Sequence, residues 1–265
     1  ASVNFSNTSL GTVSRSAYLG QQEDYKALYK LTGEREDGFY RLEKFTRKTK
    51  NDGTLTGYPT ASVFSSTMNS SVMDMYKRLG MRHSKVYYCF DGATLFTSAL
   101  LNVKYMFGES NKYENEAYTL LEKSGDIFLY ECVYDLPFGY VAPKGYDLPE
   151  GYLGQGIRLQ NQMVWDLGIE GELFTEGAVQ ESGDDVRITA DRAGFYYAIL
   201  TASGTSKVDL IGGSLETHTF SDLKDGSILY LGYLQKGDAV TLTNTDDGDE
   251  TQKILADAYV CDTQV

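Results

Sequence analysis

The sequence predicts an α+β protein: an N-terminal α/β layered domain over residues 1–140, a linker or covering segment over 141–168, and a C-terminal antiparallel β-sandwich, jelly-roll-like, over 169–265. Three observations predict it. Helical and alternating apolar patterns take turns up to about residue 140. A stretch from Asp135 to Gly156 then holds three of the four prolines and five glycines, which breaks the pattern. Beyond it, short strand patterns separated by turns recur roughly every ten residues.

Taken in order, "SRSAYLGQQEDYKALYKLTGERE" places Tyr18, Tyr25, Leu28, Tyr29 and Leu31 near helical spacing, with Ser14 or Ser16 as cap. Asp37-Gly38 then opens a strand in which Tyr40 and Leu42 alternate with Arg41 and Glu43. A polar loop, "RKTKNDGTLTGYPT", follows. Asn69 or Ser70 caps a helix whose Val72, Met75, Tyr76 and Leu79 share a face, and Gly80 ends it. "SKVYYCF" reads as a strand, "DGATLFTSALL" as a helix starting at Asp91, and "VKYMFG" as the next strand. "YTLLEKSGDIFLYECVYD" reads as a hairpin turned at Ser124-Gly125. After the Pro/Gly stretch, "GIRLQNQMVWDLG" suits a short helix. The strands expected beyond it are "DVRITA", "GFYYAILTA", "KVDLIGG", "ETHTFSDL", "SILYLGYL", "DAVTLTN" and "KILADAYV".

Composition excludes several functions. Hydrophobic residues make up 42% and aromatics 13%, with 21 Tyr and 12 Phe against one Trp, so the chain can bury a substantial core. The net charge is −13, and "RKTK" at Arg47–Lys50 is the longest basic run, which argues against nucleic acid as a partner. Any contact with an anionic polymer or membrane surface must therefore be local. Nowhere do 18 apolar residues run together, so no bilayer span is expected. The start at "ASVNFSNTSL" without Met suggests a piece of something longer.

Candidate chemistry is sparse. Cys89, Cys132 and Cys261 share no metal-ligand spacing and read as buried free thiols, with a Cys89–Cys132 disulfide as the alternative. No metal site is expected. His83 and His218 lie in no nucleophile motif and read as structural or surface groups. The acidic loop Asn244–Thr251, with Asp246, Asp247, Asp249 and Glu250, lacks an alternating calcium-loop order and reads as a hairpin turn. Asp166, Glu170 and Glu172 are candidates for paired carboxylates by residue type alone. Tyr196, Tyr197, Tyr230, Tyr233 and Trp165 suit either sugar stacking or core packing, since strand alternation turns half of the tyrosines inward.

Five segments in order, "FYRLEK", "GYPTASVFSSTMN", "LLNVKYMFG", "IFLYECVYDLPFGYV" and "IRLQNQMVWDLG", resemble the extracytoplasmic portion of YfhO-like bacterial membrane proteins over residues 39–168. The resemblance implies a multi-pass parent similar to polyprenyl-phosphate-dependent glycosyltransferases, implicated in attaching sugars to teichoic acid outside the cell. It implies that the catalytic acid lies in an early extracytoplasmic loop absent from this chain. The chain is then a non-catalytic domain that positions an acceptor or caps the membrane active site, with the transmembrane portion of the same protein and a cell-surface glycopolymer as partners and with no cofactor.

Under that resemblance, Arg41, Tyr58, Ser65, Ser66, Asn102, Lys104, Tyr105 and Asn161 match motif positions and are candidates for substrate or partner contact. Arg41 and Lys104 stand first, because a local cation in an acidic protein suits a phosphate. Structural roles compete at each: Asn102 suits a left-handed helix end, Ser65 and Ser66 a loop backbone, and Lys104 a strand edge. A rival reading is a secreted carbohydrate-binding or glycoside-hydrolysing protein.

Overall fold

The structure, a computed structural model, describes residues 14–136, 138–139, 141–201, 204–246 and 253–265. The expectations for the chain start, for the side chain of Tyr18 and for Asp247, Asp249 and Glu250 lie outside the described residues. The N-terminal half is layered. Helices Arg15–Leu19 and Gln22–Arg35 come first, and the second buries Tyr25, Leu28 and Thr32 at helical spacing. The second meets a four-stranded sheet made of β1 (Arg41–Lys44), β5 (Val103–Gly108), β7 (Ile127–Cys132) and β6 (Tyr118–Ser124), in that order. β1 runs parallel to β5, with Leu42 opposite Tyr105 and Lys44 opposite Phe107, and the other pairs are antiparallel.

This sheet is covered on both faces. Tyr105, Phe107, Ile127 and Leu129 pack with Tyr25, Leu28 and Tyr58 in one cluster. Their neighbours Met106, Tyr118, Tyr130 and Cys132 face the other way, into the main core. The alternation of β5 and β7 therefore joins the helical layer to the rest of the protein. The expected hairpin turns between Ser124 and Ile127, with Gly125 at φ 55°. "SKVYYCF" is more broken than expected: β2 (Val63–Phe64), β3 (His83–Ser84) and β4 (Tyr87–Tyr88) form a small sheet of two-residue strands. The polar loop holds a short helix, Asp52–Thr56, which the Gly-containing sequence does not announce.

Asn69 caps helix Ser70–Arg78 by accepting from the amides of Ser71 and Val72. Helix Leu95–Leu100 is capped by Thr94 in a reciprocal box with Thr97, and not by Asp91, whose carboxylate is used elsewhere. Asn102 then turns the chain at φ 52° into β5, as its helix-ending position predicts.

The C-terminal half carries helix Gly156–Asp166 and nine strands among the described residues: β8 (Phe174–Glu176), β9 (Val179–Ser182), β10 (Asp185–Thr189), β11 (Gly194–Leu200), β12 (Val208–Gly212), β13 (Thr217–Phe220), β14 (Ile228–Leu234), β15 (Ala239–Asn244) and β16 (Ala256–Cys261). One antiparallel sheet has the order β13-β12-β15-β10-β9 and another β14-β11-β16-β8. The mixed helices and largely antiparallel sheets make the fold α+β.

All seven residues of β11 are buried, where alternation predicts half. The reason is that the strand is central, between β14 and β16, and is covered on both faces. On one side the hydroxyl of Tyr197 accepts from the amide of Leu95, 3.1 Å away in the N-terminal half. The halves also meet where the amide of Ile228 donates to the carbonyl of Gly80 at 3.0 Å. A Cβ on Gly80 would lie 2.7 Å from the Ile228 side chain, so glycine is required both by this approach and by its φ of 80°.

Candidate functional cavity

Where β1 ends, the chain enters Phe45–Lys50 and passes over a cavity of about 290 Å3 between the N-terminal sheet and β13 and β14. One carboxylate, Asp52, fixes this passage, and a second, Glu43, fixes the segment 60–62. Asp52 accepts from the amides of Lys48 and Thr49 at 2.9 and 2.8 Å and from Lys44 Nζ at 3.1 Å. Its burial opposes ionisation, but Lys44 and the amides prevail and hold its pKa below the ordinary value. Glu43, 1% exposed, accepts from the Ala61 amide and the Ser62 hydroxyl, both at 2.8 Å, and from the Thr60 hydroxyl.

Arg47 reaches from this passage into the interior. One terminal nitrogen donates to Ser62 Oγ at 3.2 Å and the other pairs with Asp91. Its side chain is 7% exposed, and its Nε is buried without a hydrogen-bond partner among the described residues. Burial disfavours its charge, yet Asp91 and Glu43 together raise its pKa. Arg82, 3% exposed, donates to the carbonyls of Ser221 and Ile228 at 3.2 and 3.5 Å. Among the described residues no carboxylate oxygen lies within 4.0 Å of its guanidinium. Burial lowers its pKa more than the nearby charge of Asp91 raises it, and the charge of Arg47 adds to the lowering.

Aromatic rings wall the cavity. Phe45 stacks on Tyr113 with ring centres 3.9 Å apart, Tyr197 lies 5.5 Å from Tyr230, and His218 meets Phe220 at 4.6 Å. Burial raises the pKa of Tyr118 and Tyr197, so both are neutral hydroxyls. Burial likewise lowers that of His218, which favours the neutral imidazole. At the mouth, Lys48 reaches Gln21 at 2.9 Å and Lys50 pairs with Asp222 at 2.7 Å. The lining holds five Lys or Arg side chains against two carboxylates, in a chain of net charge −13. Lys44, Arg47 and Lys50 pair with Asp52, Asp91 and Asp222, which leaves Arg82 and Lys48 as the lining cations with no ion pair among the described residues.

The residues singled out from the sequence lie elsewhere. Arg41, Asn102, Lys104 and Tyr105 gather at the opposite end of β1 and β5. Arg41 donates to the Leu101 carbonyl at 2.6 Å and sits over the Phe39 ring. Asn102 Nδ2 donates to Phe39 O at 2.7 Å. Lys104 pairs with Glu36 at 2.9 Å and Asp135 at 3.5 Å, and the Tyr105 hydroxyl donates to Glu36 at 2.6 Å. Tyr58 is buried between Tyr29 and Phe107. Ser65 accepts from the Thr67 amide at 3.1 Å, and Ser66 is exposed. Asn161 pairs with the Phe174 backbone through both amide atoms at 2.8 Å, extending the edge of β8.

The remaining candidates are dispersed. Trp165 is 70% exposed on its helix, Glu170 and Glu172 are exposed, and Asp166 accepts from Gln162. Cys89, Cys132 and Cys261 are all buried free thiols. Among the described residues no three His, Cys, Asp or Glu side chains gather as a metal site. No helix among them is long and apolar enough to cross a membrane. Sequence reading missed the cavity, although its signal was present: "RKTK" is the longest basic run of an acidic chain and directly follows a strand.

The profile of a family described as bacterial membrane protein YfhO matches residues 1–191, while no curated protein and no solved structure matches.

Proposed function

Since this chain belongs to the YfhO family of bacterial membrane proteins, we propose that it is a non-catalytic extracytoplasmic part of a multi-pass glycosyltransferase-like protein, and that its cavity receives a unit of a cell-surface glycopolymer such as teichoic acid. The observation that carries this reading is the cavity itself, with cations at its mouth and stacked aromatic rings in its wall. Aromatic faces with polar tips suit the flat apolar side of a sugar ring. A volume of about 290 Å3 suits one small unit and not a long polymer segment.

The reading divides the chain near residues 140 and 168, with the two C-terminal sheets as the layers of a sandwich. Support comes from Val186, Leu210 and Leu242 of one sheet sharing a core cluster with Phe195, Leu229 and Ala258 of the other. It also assigns a face to the transmembrane portion of the same protein. Phe39 and Phe138 meet edge to face with ring centres 4.8 Å apart, yet are 49% and 65% exposed, and Val141, a few residues further along the chain, is 96% exposed. An exposed apolar group of this kind is the signature of a covered surface.

The test uses the full-length protein in cells lacking the endogenous copy, with sugar content of the isolated surface polymer as readout. Reversing the charge at the mouth, Lys48→Glu with Lys50→Glu, is expected to lower polymer glycosylation while the protein level in the membrane stays constant. Unchanged glycosylation would remove the cavity from the reaction. The rival reading, a carbohydrate-binding or glycoside-hydrolysing protein, draws on the same aromatic wall. Turnover of glycans by the 265-residue chain alone would favour it.

A further inference from the structure

We infer that the cavity beneath Phe45–Lys50 is a phosphate-binding site, in which Arg82 and Arg47 at the base and Lys48 at the mouth hold the phosphate group of a small hydroxylated ligand. This deepens the reading above by naming the chemistry of its ligand, and it rests on the cavity being a binding site.

Three observations carry it. First, Arg82 is a buried cation whose hydrogen bonds run to two neutral carbonyls, with no carboxylate within 4.0 Å among the described residues. The charge of Asp91 offsets the burial of this cation only in part, and an anion in the cavity would compensate the remainder. Second, Arg47 Nε is buried in the same lining and has no acceptor among the described residues, although the other guanidinium nitrogens do. Buried donors in native proteins are nearly always satisfied, so this one marks the place of an absent acceptor. Third, the lining's charges do not cancel: Asp91 forms its ion pair with Arg47 and acts on Arg82 only from beyond 4.0 Å, Asp222 pairs with Lys50, and Arg82 and Lys48 make no ion pair among the described residues. The charge of Arg47 also works against that of Arg82, so the two share one electrostatic space that an anion would relieve.

The donors favour phosphate over carboxylate by their arrangement. A planar carboxylate is satisfied by a single guanidinium in one plane. Here the cations come from different segments, Arg47 and Lys48 after β1 and Arg82 before β3, which suits an anion whose oxygens point in several directions. The rest of the ligand must be small and hydroxylated, because the space is about 290 Å3 and its walls are rings and hydroxyls, among them Tyr113, Tyr197 and Tyr230.

Titration calorimetry on the 265-residue chain tests this with a hexose 6-phosphate, glycerol 1-phosphate, inorganic phosphate and the unphosphorylated hexose. Saturable binding of the phosphorylated compounds is expected, strongest for the hexose phosphate, weakened by added salt, and absent or much weaker for the free hexose. Lys48→Gln should weaken the hexose phosphate by about three- to tenfold. Arg82 variants risk misfolding, so the 15N–1H signals of Arg47 and Arg82 Nε in the unaltered chain supply a second readout, and both should shift on titration. Binding of the free hexose as tightly as its phosphate would overturn the phosphate assignment while leaving the saccharide reading intact. Binding of neither would overturn both. Phosphate binding that moves neither arginine signal and ignores Lys48→Gln would place the anion elsewhere and defeat the inference.

Discussion

Lys44 Nζ lies 3.1 Å from Asp52 Oδ2 with the two side chains 5% and 4% exposed, a buried ion pair that closes the turn over the cavity. The ammonium also sits 3.7 Å from the centre of the Tyr25 ring, so it touches the helical layer as well. The same carboxylate holds the amides of Lys48 and Thr49. Removing one partner strands the other charge, so Asp52→Ala is expected to cost about 3–5 kcal/mol in urea unfolding. Lys44→Met combined with Asp52→Leu strands no charge and should cost less than Asp52→Ala alone. The pair is not holding the turn if Asp52→Ala unfolds at the wild-type midpoint.

Glu43 and Asp52 should leave opposite marks on stability against pH. Burial pushes the Glu43 carboxyl up, more than Arg47 and its hydrogen-bond donors pull it down. The folded state then keeps that proton to higher pH than the unfolded state does. Its contribution is fully present below the ordinary value of 4.5 and is lost as pH rises through the folded value. For Asp52, burial raises the pKa but Lys44 and the amides lower it further, so its contribution is present above the ordinary 3.8 and is lost as pH falls through the lower, folded value. Thermal midpoints measured from about pH 3 to 8 check both signs. Glu43→Gln should flatten the decline above 4.5 and leave the acid limb untouched, whereas Asp52→Asn should reduce the acid limb alone. A steeper decline in Glu43→Gln would reverse the assignment.

Local signals were legible where a few residues decide the structure. Asn69 caps its helix, Asn102 turns left-handed after Leu101, and the hairpin closes at Ser124-Gly125. Each outcome is set by local backbone and side-chain geometry. Long-range covering was not legible. The sequence of β11 alternates weakly, and only the packing of Tyr197 against Leu95 tells that both faces are buried. Asp91 looked like a helix cap because it precedes an apolar run, but Thr94 caps the helix and Asp91 is drawn to Arg47, 44 residues away in sequence. The cavity was hidden for the same reason, since its lining comes from β1, the turn around Arg82, and β13 and β14.

The three cysteines should resist alkylation in the folded protein. Burial pushes the thiols of Cys89 and Cys261 up to about 12 and that of Cys132 up to about 11. The thiolate is the reactive form, so each is protonated at neutral pH as well as shielded. Treatment with a thiol reagent near pH 8 is expected to label none of them in buffer and all three in urea. Fast labelling of one cysteine in buffer would reveal local opening at its strand.

Gln160 joins the two halves through a pair of hydrogen bonds. Fully buried on helix Gly156–Asp166, it accepts from the Thr94 hydroxyl at 2.5 Å and donates to the Leu79 carbonyl at 3.3 Å. Gln160→Leu leaves both groups buried without that partner and is expected to cost about 1–3 kcal/mol. Thr94→Val removes the same bond from the other side and also the cap on the Thr97 amide, so it should cost at least as much. Once Gln160 is gone, however, the Thr94 hydroxyl still accepts from the Thr97 amide but its proton has lost the Gln160 acceptor, and removing the hydroxyl relieves that part of the penalty. The double variant should therefore be less destabilised than the two single losses added together, by about 0.5–3 kcal/mol in urea unfolding. Additivity within about 0.5 kcal/mol would mean that Thr94 and Gln160 act independently, and that the halves are joined by their other contacts, among them Gly80 with Ile228, Leu95 with Tyr197 and Arg82 with Ser221.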